Sequence, residues 1–294
     1  MNPWFSVKKQ KYVFIYSCLL IPLLFFAAIR LLPMLYSFYV GFHEWDLLSS
    51  EQTLVGMDNY TALFKDDVFV QSLSNTAVYV LVGVPGQMAL GLTIALLLHR
   101  IIRWRTLFRT IYFIPFVTSV VAVSWVFRWM LMPNGIVNHM LISIGVDPQL
   151  LLGSPTQAIY LVIAAMIWQG IGFQMLIFLT GLQQIPRMYV DAASIDGANA
   201  WQRFVHISLP LLRPVLVFSV IIGSIDYLQS FTQVMNMTTG GPLNSTISVV
   251  LYIYELAFKQ FNLGLASAAT VILFGFILLL SLLQLKLLNR KMDY

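Results

Sequence analysis

Charge is scarce in this chain of 294 residues: only 10% are Asp, Glu, Lys or Arg, while 59% are apolar. Soluble domains carry about 25% charged residues, and a soluble fold of this size lacks the interior to hide so much apolar surface. Cysteine is nearly absent. The single Cys18 excludes an intrachain disulfide and a cysteine-based metal site. His43, His99, His139 and His206 are scattered and form no ligand-spaced pair. No Gly-Lys dipeptide occurs, so Gly240-Gly241-Pro242 cannot open a phosphate-binding loop and reads as a tight turn. ATP hydrolysis by this chain is thereby excluded. No internal repeat and no low-complexity tract interrupts the sequence. The net charge of +5 does not imply nucleic acid, because the basic residues sit between long apolar runs.

Those runs are what the chain has in abundance. A helix crossing the hydrocarbon core needs about 20 apolar residues, and six segments qualify: 13–40, 76–98, 111–131, 158–182, 211–231 and 265–285. They lack the two-residue alternation of barrel strands, and lipid admits only helices or closed barrels. The expected fold is therefore an all-α membrane protein of six transmembrane helices in one domain spanning residues 1–294. Lys8, Lys9 and Lys11 before the first run mimic a secretory signal, but the run is too long for a signal core, so an uncleaved helix is expected. Thirteen of the 17 Lys and Arg residues fall in alternate connections and at both ends: Lys8, Lys9, Lys11; Arg100, Arg103, Arg105, Arg109; Arg187, Arg203, Arg213; Lys286, Arg290, Lys291. Excess Lys and Arg marks the cytoplasmic side, which places both termini there. Trp4, Trp45 and Trp201 suit an interfacial belt.

The connection between the fourth and fifth runs, residues 185–210, is patterned rather than floppy. Tyr189 to Ile195 suits a short helix, Asp196-Gly197 a turn, and Ala198 to His206 a second helix that ends before Pro210. The sequence Asp191-Ala192-Ala193 … Asp196-Gly197-Ala198 … Leu209-Pro210 … Pro214 resembles the EAA loop of ABC importer permeases. It departs from that pattern at Asp191, where the family has Glu. The resemblance extends from about Pro33 to the C-terminus through Gly56-Met-Asp58-Asn59-Tyr60, Ser74-Asn75-Thr76, Arg109 to Pro115, Gly135 to Asn138, Thr239 to Pro242, Thr246, Tyr252 to Phe258, Gly264 and Ala266. It is strongest to the sugar-type branch with maltose-, lactose- and glycerol-phosphate-type channel subunits.

The resemblance implies a channel-forming subunit in the bacterial inner membrane, importing a sugar or polyol delivered by an extracytoplasmic solute-binding protein. The implied partners are a second homologous permease and two ATP-binding cassette subunits, which would bind ATP and Mg. This chain would carry no cofactor, and no nucleic acid or metal is expected. A cytoplasmic coupling helix built from Asp191, Ala192, Ala193, Asp196, Gly197 and Ala198 would dock on the ATPase. A secondary, ion-coupled transporter is the alternative, though such proteins usually show inverted repeats and intramembrane ion pairs.

Polar residues inside the spans mark an expected substrate path. Charges at the bilayer centre are costly and normally face a cavity or another helix; here these are Arg30, Arg128 and Asp226. Gln169, Gly170 and Phe173 share a face of the fourth helix, and Gly223, Asp226, Tyr227 and Ser230 follow the spacing of one stripe on the fifth. Each set joins hydrogen-bonding groups to an aromatic, as a sugar requires, and the resemblance places substrate on the same two helices. The competing expectation pairs Asp226 with Arg128 as a structural tie. For topology, Arg103→Cys in a Cys18→Ser background is expected to resist a membrane-impermeant maleimide added to intact cells, while Ser50→Cys reacts. Labelling at position 103 would reverse the assignment.

Overall fold

The computed structural model describes residues 3–46, 48, 51–100 and 103–288. Ile101, Arg290 and Lys291 lie outside the described residues, as do the side chains of Trp4 and Lys8. The helices are α1 (Lys9–Val40), α2 (Asp58–Lys65), α3 (Asp67–Arg100), α4 (Arg105–Val117), α5 (Val120–Met130), α6 (Ile136–Ser143), α7 (Ala158–Gln184), α8 (Arg187–Ile195), α9 (Ala200–Leu211), α10 (Arg213–Leu228), α11 (Thr232–Met237), α12 (Val249–Phe258) and α13 (Leu263–Leu288). Four of these, α1, α3, α7 and α13, are individually long and apolar enough to cross a membrane. The runs expected at 111–131 and 211–231 are not single straight helices. The first is broken between α4 and α5 by a 91° bend, and the α9–α10 pair is bent by 67°. The run at 211–231 also ends at Leu228 and restarts at Thr232. Among the described residues the number of candidate spans is four, or up to six if each bent pair is counted as one. The chain is also not wholly helical, since β1 (His43–Trp45) and β2 (Gln52–Leu54) form an antiparallel hairpin with His43 opposite Leu54.

Proline explains where the helices widen. Three five-residue π-helical turns occur among the described residues, Ala27–Leu31 in α1, Tyr79–Gly83 in α3 and Phe204–Ser208 in α9. Each ends two residues before a proline: Pro33, Pro85 and Pro210. A proline lacks an N–H and its ring collides with the carbonyl four residues back. Widening the turn moves that carbonyl aside and lets the helix continue. This corrects the expectation of a helix from Ala198 ending before Pro210: it starts at Ala200 and runs through Pro210 to Leu211.

Close contacts divide the chain into two compact units. In the unit formed by residues 1–63 and 255–272, α1 is exposed along nearly its whole length, as an apolar helix facing lipid would be. The buried Asn59 donates to the carbonyls of Gly41 (3.0 Å) and His43 (2.9 Å). Gly264 admits the β1 backbone, for a Cβ there would stand 2.2 Å from the His43 carbonyl oxygen.

In the unit formed by residues 64–254 and 273–294, α3 packs along α7. Ala95, Leu98, Met175, Phe178, Leu179, Leu182 and, from α10's entry, Leu212 form its apolar core. Helices in lipid associate through close backbone approach at small residues, and two glycines serve that purpose. Gly91 of α3 faces Gln174 and the Met175 backbone, and Gly172 of α7 admits the α4 backbone at Tyr112. A Cβ at Gly172 would lie 2.0 Å from the Tyr112 carbonyl oxygen, whereas one at Gly275 meets nothing within 4 Å. Gly172→Ala is therefore expected to destabilise by about 1–3 kcal/mol through overpacking, read as a lowered thermal midpoint in detergent, and Gly275→Ala to leave the midpoint unchanged.

Candidate functional site

The bend between α4 and α5 creates a chemical demand. Pro115 lies inside α4's last turn, and at Thr118 the backbone turns extended, with ψ at 145°. The Thr118 carbonyl then leaves the helical ladder, and an unpaired carbonyl in an apolar surrounding costs several kcal/mol in lipid. Gln169 of α7, 5% exposed, donates its Nε2 to that oxygen at 3.2 Å. Its Oε1 accepts from Gln233 Nε2 of α11 at 3.3 Å.

At the next residue of α7, the Gly170 carbonyl accepts from Gln87 Nε2 of α3 at 3.4 Å, and Gln87 Oε1 accepts from the Tyr227 hydroxyl of α10 at 2.9 Å. Glycine at 170 leaves room for this approach, since a Cβ would stand 2.7 Å from the Gln87 amide and displace it. Gly83 performs the same service for Tyr227, whose ring would meet a Cβ at 2.1 Å. Side-chain amides and one phenol thus join four helices and the break through polar links.

The residues expected to line a path divide by orientation. Tyr227 is fully buried, Ser230 is 3% exposed with no partner for its hydroxyl, and Gly223 packs on Val84. Asp226 points the other way and is exposed, on a face shared with Phe218, Ile222 and Gln229. Phe173 stacks on Phe116 with ring centroids 4.8 Å apart and planes 12° from parallel. The expected stripe on α10 therefore occupies two faces, and only Asp226 of its four members is presented outward. Arg128 is committed elsewhere: it donates to the Asn236 carbonyl at the end of α11 (3.1 Å) and lies over the Trp125 ring at 5.0 Å. Sequence reasoning missed Gln87, Gln233 and Thr118. The available signal was an amide in an apolar run, as in Gly86-Gln87-Met88.

The segment Thr239-Gly240-Gly241-Pro242 is held as a turn. Thr239, Gly240, Leu243 and Asn244 all adopt positive φ. The Thr246 hydroxyl donates to the Gly241 carbonyl (2.9 Å), Asn75 donates to the carbonyls of Asn244 and Ile247, and the Tyr79 hydroxyl to Thr246. Nearby, Asp66 caps α3 through the amides of Val68 and Phe69 and accepts from the Tyr252 hydroxyl at 3.1 Å. Burial, then the adjacent Asp66 carboxylate, push the Tyr252 hydroxyl well above the ordinary phenol range.

The α8–α9 segment projects as a helix pair. Gly197 has φ +80°, its N–H bonds the Ser194 carbonyl and the Ala198 N–H bonds that of Ala193, the two bonds of a Schellman ending. Asn199 and Gln202 then open α9 with a reciprocal capping box, and Arg203 donates to the Ser194 hydroxyl. Asp191, Ala192, Asp196 and Gly197 are exposed, and Ala193 and Ala198 half-buried. The pair also exposes Met188 (70%), Ile195 (86%) and Trp201 (70%).

Several apolar spans, a polar layer among them and an exposed helix pair suit a transport permease. The match to known proteins is specific: the chain belongs to the family described as binding-protein-dependent transport system inner membrane component, whose model matches residues 87–294. The lactose transport system permease protein LacF of Rhizobium radiobacter is 41% identical over 221 residues, covering 74% of each chain. The probable ABC transporter permease protein YesP of Bacillus subtilis (strain 168) is 35% identical over 89% of this chain and 85% of its own. The trehalose/maltose transport system permease protein MalF of Thermococcus litoralis is 33% identical over 97% and 95%. The fold is shared with a chain in the crystal structure of a bacterial ABC transporter involved in the import of the acidic polysaccharide alginate, at TM-score 0.83 and 22% identity, covering 99% of this chain and all of that one.

Gln169→Leu would orphan both the Thr118 carbonyl and the Gln233 amide. An expected loss of about 1–3 kcal/mol should appear as a lower unfolding midpoint in detergent. An unchanged midpoint would show that the break is held by other contacts.

Proposed function

We propose that this chain is the channel-forming permease subunit of an ATP-driven importer that translocates a sugar or related polyol across the bacterial inner membrane. The projecting α8–α9 pair, in a family defined by binding-protein-dependent transport, is the observation that carries this reading. The lactose and trehalose/maltose systems among the relatives support a sugar as cargo. In this reading one permease domain of six spans, with both termini cytoplasmic, pairs with a second homologous permease. Two ATP-binding cassette subunits bind ATP and Mg, and an extracytoplasmic solute-binding protein delivers the cargo. A related alginate transporter has been crystallised with an alginate pentasaccharide-bound periplasmic protein, which supports such a partner.

Coupling and recognition fall to different residues. Asp191 to Ala198 insert into a groove of the ATPase, with the exposed Met188 and Ile195 as apolar contacts. Gly197 sets the angle between α8 and α9 at a φ that a β-branched residue tolerates poorly. On the substrate side Asp226 accepts sugar hydroxyls, and Phe173, steadied by Phe116, presents an aromatic face to the C–H side of the ring. Gln169, Gly170, Gly223, Tyr227 and Ser230 form the wall behind them, with Tyr227 fixed through Gln87.

In the assembled complex, Gly197→Val is expected to abolish sugar-stimulated ATPase, through backbone strain of about 1–3 kcal/mol. Asp226→Asn should keep assembly and basal ATPase but lower sugar uptake roughly tenfold to a hundredfold, the value of a hydrogen bond to a charged group. Wild-type stimulation with Gly197→Val sinks the coupling role, and normal uptake with Asp226→Asn sinks the recognition role. Uptake driven by an ion gradient without ATP would replace the importer by a secondary transporter.

A further inference from the structure

A cleft of about 650 Å³ opens where α3 and α7 end against the α8–α9 pair. Four arginines line it, Arg100, Arg105, Arg187 and Arg203, against the single carboxylate of Asp191. Arg105 is occupied in part as a cap on α3, donating to the carbonyls of Leu98 (3.1 Å) and His99 (2.8 Å). Arg203 donates to the Ser194 hydroxyl. None of these bonds neutralises charge. Arg100 and Arg187 make no hydrogen bond or ion pair among the described residues, and both are exposed. Like charges gathered in one recess repel unless an anion joins them, and guanidinium groups suit phosphate oxygens in particular.

The cleft is also graded in polarity. Leu96, one turn inside Arg100, and the half-buried Ile185, two residues before Arg187, form an apolar inner wall next to the spans. A basic rim above an apolar wall, at the end of two membrane helices, fits a molecule with a phosphate head and hydrocarbon tail. A soluble anion would use the rim and leave the wall wet.

We infer that this cleft binds the headgroup phosphate of an anionic phospholipid, with Arg100 and Arg187 as its principal ligands and an acyl chain against Leu96 and Ile185. Bound lipid would fill the recess behind α8 and brace the projecting pair against the spans. The inference rests on the cleft alone and is independent of what the chain transports.

The test uses the full-length chain in its purified complex, reconstituted in phosphatidylcholine with and without phosphatidylglycerol and read by native mass spectrometry after extraction. Wild type is expected to retain phosphatidylglycerol in preference to phosphatidylcholine. Each basic residue near an anionic surface contributes about fivefold to binding. The Arg100→Gln, Arg187→Gln double variant should therefore retain roughly 25-fold less phosphatidylglycerol, with phosphatidylcholine unchanged. Arg100→Gln alone should show a partial loss, and serves if the double variant fails to fold. Equal retention of the two lipids by wild type, or undiminished phosphatidylglycerol in the variants, overturns the site. Displacement of the lipid by inorganic phosphate would make it a free-anion site. Loss of a partner subunit from the variant with lipid retention intact would assign the arginines to a protein contact. Either result also refutes the proposal.

Discussion

The structure around the polar layer depends on one hydrogen bond, from Gln169 Nε2 to the Thr118 carbonyl. A helix bent by 91° inside an apolar segment exposes backbone groups that lipid cannot satisfy. Gln169 supplies the missing partner from α7, and Gln233 holds Gln169 from α11. The bend is thus a property of three chain segments, and α4 by itself would have no reason to stop at Thr118. Because α5 departs from this point, the seating of α11 against it, and Arg128 on the Asn236 carbonyl, follow from the same bond.

Prolines and glycines shape the remaining helices in complementary ways. Pro33, Pro85 and Pro210 each follow a widened turn, so the helices pass through instead of ending. The glycines act between helices: Gly172 admits a backbone, Gly170 an amide and Gly83 a phenol ring. Without an aqueous hydrophobic effect to drive helices together, such close approaches and buried hydrogen bonds supply much of the association energy. The polar layer is therefore a tie between helices, with Tyr227 turned inward to Gln87 while Asp226 faces outward from the same helix.

The helix pair from Arg187 to Leu211 was the most legible element. Asp196-Gly197 marks a turn by local chemistry, and the structure shows the positive φ and the Schellman bonds that such chemistry demands. Asn199 and Gln202 are equally local, yet the start of α9 lies two residues later than the sequence suggests because the capping box occupies Asn199. Local rules failed at Pro210, where helix termination was expected and a widened turn was available instead. They failed again at 111–131, because an apolar run of sufficient length carries no mark of where a distant amide will catch one of its carbonyls. The stripe on α10 was read at correct helical spacing, but an arc that includes residues i, i+3, i+4 and i+7 is wide enough to straddle a packed face and an open one.

By itself the sequence determined the solvent, the helical class, the alternation of basic and acidic connections and the turn at Gly197, since each follows from composition or from interactions within a few residues. Only the tertiary structure decided that Gln87, Gln169 and Gln233 act together, that α4 and α5 part at Thr118, that Asp226 and Tyr227 face opposite ways, and that four arginines from separate connections line one cleft. These are contacts between residues far apart in the chain, and their partners are set by how the helices pack rather than by any pattern within one of them.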